Sequence, residues 1–177
     1  PLIIEDLERF GIEKYKMSID GLQETHDIFR EKGSFDDTIR AYDLFKHSKI
    51  TTLCMFSLNK KNASDLKDVI RIARDHQIGL FSFARIVPFK AIKQDETFSP
   101  NEYREFLTEI YDFQSYILKN TKTRFVFKDH LWKLFFYERG EIRLDPRNKQ
   151  ISDGCGMGIN SMSILADGTV YACRRFI

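Results

Sequence analysis

The 177-residue chain lacks several features that would place it in common classes of protein. No apolar run is long enough to span a membrane, and the first residues do not predict secretion. With 28 basic and 26 acidic residues the charge is nearly balanced, so binding to nucleic acid is not predicted. No Gly-rich phosphate loop precedes a helix, which makes an ordinary nucleotide-binding α/β domain a weak alternative.

Cysteine is also scarce, because only Cys54, Cys155 and Cys173 occur. An odd number argues against a closed set of disulfides, and a reducing, cytoplasmic setting is expected. Cys54 lies alone in an apolar run, so we predict that it is a core residue. The chain starts at Pro1 and ends at Ile177, just after a strand-like run, and we expect it to be part of a longer protein.

What is present is an alternation of strand and helix patterns over the first 120 residues. Strands are predicted at 14–19, 50–57 and 80–87, with a polar loop from Asp20 to Gly33. Helices are predicted at 3–10, after a cap at Ser34, from Asn62 or Ser64, and from a capping box at Ser99-Pro100-Asn101-Glu102 to about Lys119. This order predicts an α/β fold with a parallel sheet and helical crossovers.

The remaining third of the chain has a different pattern. Residues 124–137 predict a short strand and then a helix that begins near Asp129, and the charged segment 138–153 predicts a linker. Residues 161–172 contain two short β runs around Asp167-Gly168, a strong signal for a hairpin.

A first group of polar residues lies where the first predicted strand ends. Ser18 and Asp20 alternate onto the same side of the sheet, at the carboxyl end where parallel α/β folds bind ligands. A hydroxyl and a carboxylate side by side can bind a ribose or an ammonium group. The alternative is a turn in which Asp20 accepts backbone amides. His26 and Asp27 could form an acid–base pair, but a hydrogen bond that orders the loop is the favoured interpretation.

A second group consists of two cysteines that flank the predicted hairpin. Twelve residues separate Cys155 from Gly168, and four more separate Gly168 from Cys173. A hairpin returns the chain on itself, so both thiolates could reach one metal centre, either an iron–sulfur cluster or zinc. The alternative is two buried cysteines in a small β unit. Glycines at 154, 156 and 158 favour a ligand site, because they allow tight curvature around it.

Both groups resemble one family. The series S-I-D-G (18–21), H-D-x-x-R (26–30) and G-S-F (33–35) resembles the stretch after the fourth strand of radical S-adenosylmethionine enzymes, most of all the sulfatase- and peptide-maturing branch. The run 164–173 around Asp167-Gly168 resembles the opening of a SPASM domain, which holds auxiliary iron–sulfur clusters. The resemblance implies the second half of a (β/α)6 barrel at 1–120, a connecting segment at 121–153, and the start of a SPASM domain at 154–177.

The resemblance also implies roles for individual residues. Those matched to positions that bind S-adenosylmethionine are Ser18, Asp20, Arg40, Asn59, Ile86 and Val87. Among them, Ser18 would contact the ribose or the methionyl part, Arg40 the carboxylate, and Ile86 and Val87 the adenine. Cys155 and Cys173 would supply half of the ligand set of an auxiliary 4Fe–4S cluster, and no catalytic residue is identified.

The implied function is that of the parent enzyme. It would cleave S-adenosylmethionine reductively and abstract hydrogen from a side chain of a peptide or protein, with a flavodoxin or ferredoxin as electron donor. The C-x-x-x-C-x-x-C motif that holds the radical cluster does not occur in these 177 residues, so we expect the chain alone to be inactive. The main alternative is a non-catalytic α/β peptide-binding module whose Cys155/Cys173 hairpin holds structural zinc.

Overall fold

The computed structural model describes residues 2–86, 96–142 and 162–172. Its contacts divide the chain into two units, Pro1–Ile142 and Arg143–Ile177. Three residues with predicted roles lie outside the described residues, namely Val87, Cys155 and Cys173.

Helices and strands alternate along the larger unit. Its strands are β1 (Lys14–Ser18), β2 (Thr51–Leu58), β3 (Leu80–Arg85) and β4 (Arg124–Phe125). Its helices are α1 (Leu2–Arg9), α2 (Gln23–Phe29), α3 (Ser34–Phe45), α4 (Leu66–Asp75), α5 (Pro100–Ile117) and α6 (Leu131–Glu138). A short 3-10 helix, Ala63–Asp65, leads into α4.

The four strands form one parallel sheet in the order β1-β2-β3-β4. Its register sets Ser18 beside Met55 and Met55 beside Ser82. A parallel neighbour needs a crossover connection, and a helix lies between each pair of consecutive strands. The predicted α/β fold with a parallel sheet is confirmed.

One face of the sheet is buried beneath the helices. Thr52, Cys54, Phe56 and Leu58 of β2 alternate onto it, where they join residues of α4, α5 and α6 in a single core. Cys54 is fully buried, as predicted, and burial raises its pKa to about 12, so its thiol stays protonated. Tyr42 of α3 fixes this packing, because its single hydroxyl proton is shared between the carbonyl oxygens of Met17 at 3.1 Å and Leu53 at 3.2 Å, which lie on adjacent strands.

The opposite face of the sheet carries the alternate residues of each strand, and we name it the inner face. Alternation and register place on it Lys14, Lys16, Ser18, Thr51, Leu53, Met55, Ser57, Leu80, Ser82, Ala84 and Arg124. The β2 members, Thr51 to Ser57, are all partly exposed, in contrast to the buried members of the other face.

Two local predictions from the sequence are wrong, one for a loop and one for a helix cap. The segment predicted as a polar loop from Asp20 to Gly33 contains α2, a seven-residue helix with no side-chain cap and only His26 buried. Ser34 does not cap α3, because the N-cap is Gly33 and its φ of 86° is in the left-handed region that glycine tolerates. A short helix without a side-chain cap leaves no clear signal in sequence periodicity, and neither does a glycine that serves as an N-cap.

The capping box predicted for α5 is confirmed. Ser99 Oγ accepts from the Glu102 backbone amide, and the Glu102 carboxylate accepts from the Ser99 amide. Pro100 occupies the first helical position, where its missing amide costs nothing.

The smaller unit contains an antiparallel hairpin of β5 (Ser163–Ile164) and β6 (Val170–Tyr171). Gly168 has a φ of 85°, and Asp167 Oδ1 accepts from the Thr169 amide across the turn. The hairpin predicted around Asp167-Gly168 is confirmed.

Candidate functional site

A groove of about 210 Å³ opens at the carboxyl ends of β1, β2 and β3. Its lining consists of Asp20, Phe29, Arg30, Ser57, Asn59, Asn62 and Ile86. Parallel α/β sheets bind ligands at this edge, because the loops that leave the strands there enclose a crevice.

Asp20 holds the loop after β1 against the end of β2. Its Oδ2 accepts from Arg30 Nε at 2.7 Å and Nη2 at 2.5 Å, and its Oδ1 accepts from the Ser57 amide at 2.7 Å. The residue is only 4% exposed, so this carboxylate needs those partners. Both oxygens are engaged within the protein, but only Oδ1 accepts a backbone amide, and that amide belongs to β2 rather than to the turn that the sequence alternative described.

His26 stabilises the same loop through a buried hydrogen bond. Its Nδ1 accepts from the Asp20 backbone amide at 3.0 Å, which assigns the proton of the neutral ring to Nε2. The ring is 1% exposed, and burial lowers the pKa of His26, since the charged imidazolium would lose its hydration.

Asp27 has a separate role from His26. Its two carboxylate oxygens accept from the backbone amides of Gly33 at 2.7 Å and Phe35 at 3.0 Å, which holds the start of α3. These two hydrogen bonds lower the pKa of Asp27. Asp27 therefore orders the loop, as the favoured interpretation predicted, and makes no acid–base pair with His26.

Gly21 is required by close packing at this turn. A Cβ there would lie 2.6 Å from Thr25 Cβ and 3.0 Å from Asp65 Oδ2. The adjacent Leu22 amide donates to that same Asp65 oxygen at 3.0 Å, so the loop after β1 is tied to the segment before α4.

Two asparagines form the turn after β2. Asn62 Nδ2 donates to the carbonyls of Asp20 and Ser57, each at 2.9 Å, and its Oδ1 accepts from the Asn59 amide at 2.8 Å. Asn59 Oδ1 accepts from the Lys61 amide at 2.8 Å. Within the described residues Asn59 Nδ2 makes no hydrogen bond, so the groove lining contains an amide donor available to a ligand.

The lining of the groove is partly apolar and partly polar. Phe29 and Ile86 are its apolar members, and Asn59, Ser57 and the Asp20–Arg30 pair are among its polar members. Ligand pockets usually measure about 300 to 1,000 Å³, so this groove has room for only part of a cofactor-sized molecule. An aromatic heterocycle beside Phe29 and Ile86, joined to a hydroxyl-bearing sugar near Asn59, would fit this chemistry.

Two curated proteins from Methanosarcina barkeri match the chain in sequence. The "AdoMet-dependent heme synthase" is 25% identical over 116 residues, which are 64% of this chain and 33% of that protein. The "Fe-coproporphyrin III synthase" is 29% identical over 82 residues, which are 46% of this chain and 21% of that protein. The chain is similar in sequence to a protein named as AdoMet-dependent. This agrees with the resemblance to S-adenosylmethionine enzymes drawn from the sequence.

The chain therefore spans about a third or less of the length of the curated relatives that it matches. No protein-family model matches it.

Solved structures show the same fold. SuiB of Streptococcus suis bound to S-adenosylmethionine superposes with a TM-score of 0.66 and 15% identity, over 93% of this chain and 37% of SuiB. SuiB bound to the precursor peptide SuiA gives a TM-score of 0.66 and 16% identity, over 92% of this chain and 37% of SuiB.

The structure brings together three of the residues predicted to bind AdoMet. Asp20, Asn59 and Ile86 all line the groove. Ser18 lies on the inner face, half-buried and outside this lining. Arg40 lies on the exposed side of α3, where it pairs with Asp37. Val87 lies outside the described residues, and the AdoMet contacts of all six residues stay predictions.

Four groove residues were not predicted to bind AdoMet, namely Phe29, Arg30, Ser57 and Asn62. Arg30 was visible in the H-D-x-x-R spacing, one helical turn after His26, but its partner was not. Asn62 was considered only as a helix start, whereas it connects Asp20 to Ser57.

A second cavity of about 180 Å³ opens at the amino ends of the strands, beside Thr51, Thr52 and Gly79. His76 Nδ1 lies there, 2.7 Å from Asp43 Oδ1, and hydrogen bonding to Lys46 lowers the pKa of Asp43. These contacts join the end of α3 to the end of α4, away from the edge where AdoMet-dependent chemistry is predicted.

The described residues include neither a metal-binding group of side chains nor a membrane-spanning helix. No group of three or more His, Cys, Asp or Glu side chains there could hold a metal ion. No helix in the described parts of the chain has both the length and the apolar character that crossing a membrane requires.

Proposed function

We propose that the chain is the S-adenosylmethionine-binding part of a radical enzyme that modifies a side chain of a peptide or protein. The observation that carries the proposal is the groove at the carboxyl edge of the sheet, with its partly apolar lining and the amide donor of Asn59. The AdoMet-dependent relatives support it, as does the fold shared with SuiB, whose structures hold S-adenosylmethionine and a precursor peptide.

Each groove residue has a role in this proposal. Ile86 and Phe29 would pack against the adenine, and Asn59 Nδ2 would donate to a ribose hydroxyl. Asp20 and Arg30 would hold the two loops in place, since their charges already satisfy one another. When bound beside a reduced 4Fe–4S cluster, S-adenosylmethionine supplies a radical that abstracts hydrogen from the substrate.

The hairpin supports an auxiliary cluster site in residues 154–177. Tyr171 pairs with Ser163, so the two ends of the hairpin lie side by side. Cys155 and Cys173 flank this hairpin in sequence. We propose that both thiolates belong to one ligand set, and that 1–120, 121–153 and 154–177 are the barrel half, the connection and the SPASM opening.

Titration of S-adenosylmethionine into the intact protein by calorimetry tests the groove. Asn59→Asp keeps the oxygen that forms the turn and removes the amide donor, so we expect affinity to fall about tenfold, or about 1.4 kcal/mol. Asn101→Asp makes the same change on the exposed surface of α5 and should leave affinity unchanged. Equal affinity of wild type and Asn59→Asp would remove Asn59 from the site, and no binding at all would refute the proposal.

Metal analysis of anaerobically purified protein tests the hairpin. We expect iron and sulfide content to fall in Cys155→Ala and in Cys173→Ala, with the same loss of visible absorption in each. Cys54→Ala is the matched control, because that thiol is fully buried in the core. Colourless protein that contains zinc would instead support the non-catalytic peptide-binding module.

A second candidate substrate is a tetrapyrrole, because both curated relatives are named for heme or iron-coproporphyrin synthesis. Mass spectrometry of reactions supplied with a peptide or with iron coproporphyrin III distinguishes the two. The cytoplasmic setting and a flavodoxin or ferredoxin as electron donor remain parts of the proposal that rest on the sequence resemblance.

A further inference from the structure

The inner face of the sheet has an unusual distribution of charge. Its two edge strands carry basic side chains, Lys14 and Lys16 on β1 and Arg124 on β4, and all three are exposed. Its two central strands contribute only apolar or hydroxyl side chains, from Thr51 to Ser57 and from Leu80 to Ala84.

The register shows how these side chains lie relative to one another. Lys16 is beside Leu53, Leu53 is beside Leu80, and Leu80 is beside Arg124, so one row crosses the whole sheet with a cation at each end. Three strand spacings separate its ends by about 14 Å. Within the described residues, the inner face defined above includes no acidic side chain, and the carboxylate of Asp20, two residues beyond Ser18, is already paired with Arg30.

The cations at the edges have no counter-ion in the described part of the chain. Lys14, Lys16 and Arg124 make no ion pair there, whereas thirteen other ion pairs occur in the described residues, four of them between residues three apart in sequence. A face with clustered like charge attracts a ligand of opposite sign.

We propose that the inner face binds an extended substrate peptide that carries acidic side chains. Lys14 and Lys16 are two residues apart on a strand, about 6.6 Å, which is also the spacing of alternate side chains on an extended peptide. Carboxylates at alternate positions would meet these lysines, and apolar side chains farther along the same side of the peptide would contact Leu53, Met55 and Leu80. This inference rests on the proposed function and adds a substrate class to it.

Fluorescence anisotropy with the intact protein tests the inference. The probes are a labelled twelve-residue peptide with Asp at alternate positions and the same peptide with Asn in place of Asp. We expect the Asp peptide to bind at least about tenfold more tightly at low salt, and the difference to shrink at high salt, where exposed charges are screened.

Charge-reversal variants locate the binding. The double variant Lys14→Glu, Lys16→Glu should weaken binding of the Asp peptide about tenfold, and Arg124→Glu should weaken it as well. Lys119→Glu, an exposed lysine beyond the end of α5, makes the same charge change away from the face and should have little effect. Circular dichroism and thermal unfolding would show that all variants are folded.

Three results would overturn the inference. One is equal affinity for the Asp and Asn peptides, another is an equal loss in the Lys119→Glu control, and the third is binding of iron coproporphyrin III without binding of the peptide. Calorimetry with S-adenosylmethionine separates this failure from failure of the proposed function. Protein that binds S-adenosylmethionine but shows no preference for acidic peptides refutes only the substrate class.

Discussion

Asp20 shows how a single buried carboxylate can organise a binding edge. Its two oxygens join α2, through Arg30, to the end of β2, through the Ser57 amide. A charge that is buried to this extent is costly unless it is paired, and losing one partner leaves the other unsatisfied. Its function in this fold is therefore to position the groove.

We predict that Asp20→Asn lowers the free energy of unfolding by about 2 kcal/mol, less than for a fully buried ion pair because the Arg30 side chain is 46% exposed. Urea unfolding followed by circular dichroism measures this loss. Asp37→Asn, which breaks an exposed pair with Arg40, should change stability little. Equal effects of the two substitutions would contradict a central role for Asp20.

His26 predicts a pH dependence of stability. Burial lowers its pKa from the ordinary value of 6.5, so the unfolded chain binds a proton more readily than the folded chain. The contribution of the neutral ring to the free energy of unfolding is complete at pH values above the pKa that His26 has in the unfolded chain. It is lost as pH falls toward the lower pKa that His26 has in the folded chain.

We expect His26→Asn to reduce the fall in stability between about pH 7 and about pH 5, because Asn can accept from the Asp20 amide without titrating. Urea midpoints across that range measure the slope. His47→Asn, at an exposed site after α3, is the matched control. If the urea midpoint falls equally steeply with pH in wild type and in His26→Asn, His26 does not contribute to the pH dependence of stability.

The sequence predicted the positions of these residues better than their partners. Strand alternation was enough to place Asp20 at the carboxyl edge. Its bond to the Ser57 amide joins residues 37 apart, and no local pattern encodes a contact at that separation. For the same reason Asn62 was overlooked, since its side chain bonds to Asp20, 42 residues earlier.

At the scale of the elements, long periodic segments were predicted well and short ones were not. The helix α5 has a complete capping box and a buried stripe of Tyr103, Leu107 and Ile110, and both features are visible in sequence. The helix α2 has neither, because the loop around it is held by Asp20, Asp27 and Asp65 rather than by a helix cap.

The capping box gives a prediction for α5. Replacing Ser99 with Ala leaves the Glu102 amide without its side-chain acceptor, so we expect a loss of about 1 kcal/mol in the free energy of unfolding. Ser99→Gly should cost less, because glycine exposes that amide to water. Thermal unfolding of the two variants measures the difference, and a larger loss in the Gly variant would argue against capping.

At the scale of the whole chain, stability is expected to be uneven. The central strands β2 and β3 pair along six residues and cover a continuous core, whereas β5 and β6 pair along two residues that are mostly exposed. A hairpin of that size is marginal in water on its own.

We predict that backbone amides of β2 and β3 exchange with solvent at least about a hundredfold more slowly than the Leu165 amide of the hairpin turn. Hydrogen exchange followed by mass spectrometry measures both rates in one sample. Similar protection of the two would show that the hairpin is stabilised from elsewhere, and chelation of iron before the experiment would then reveal whether a bound cluster is the cause.

The chain contains one tryptophan, Trp132, which is 1% exposed and surrounded by Phe83, Phe125, Phe127 and Phe135. Its indole nitrogen has no hydrogen-bond partner in the described residues, so its emission is expected at short wavelength and should shift to the red once water reaches the ring. The fold thus contains its own optical reporter, placed where α6 meets the sheet, and selective excitation of that one ring would follow unfolding of the larger unit without any label.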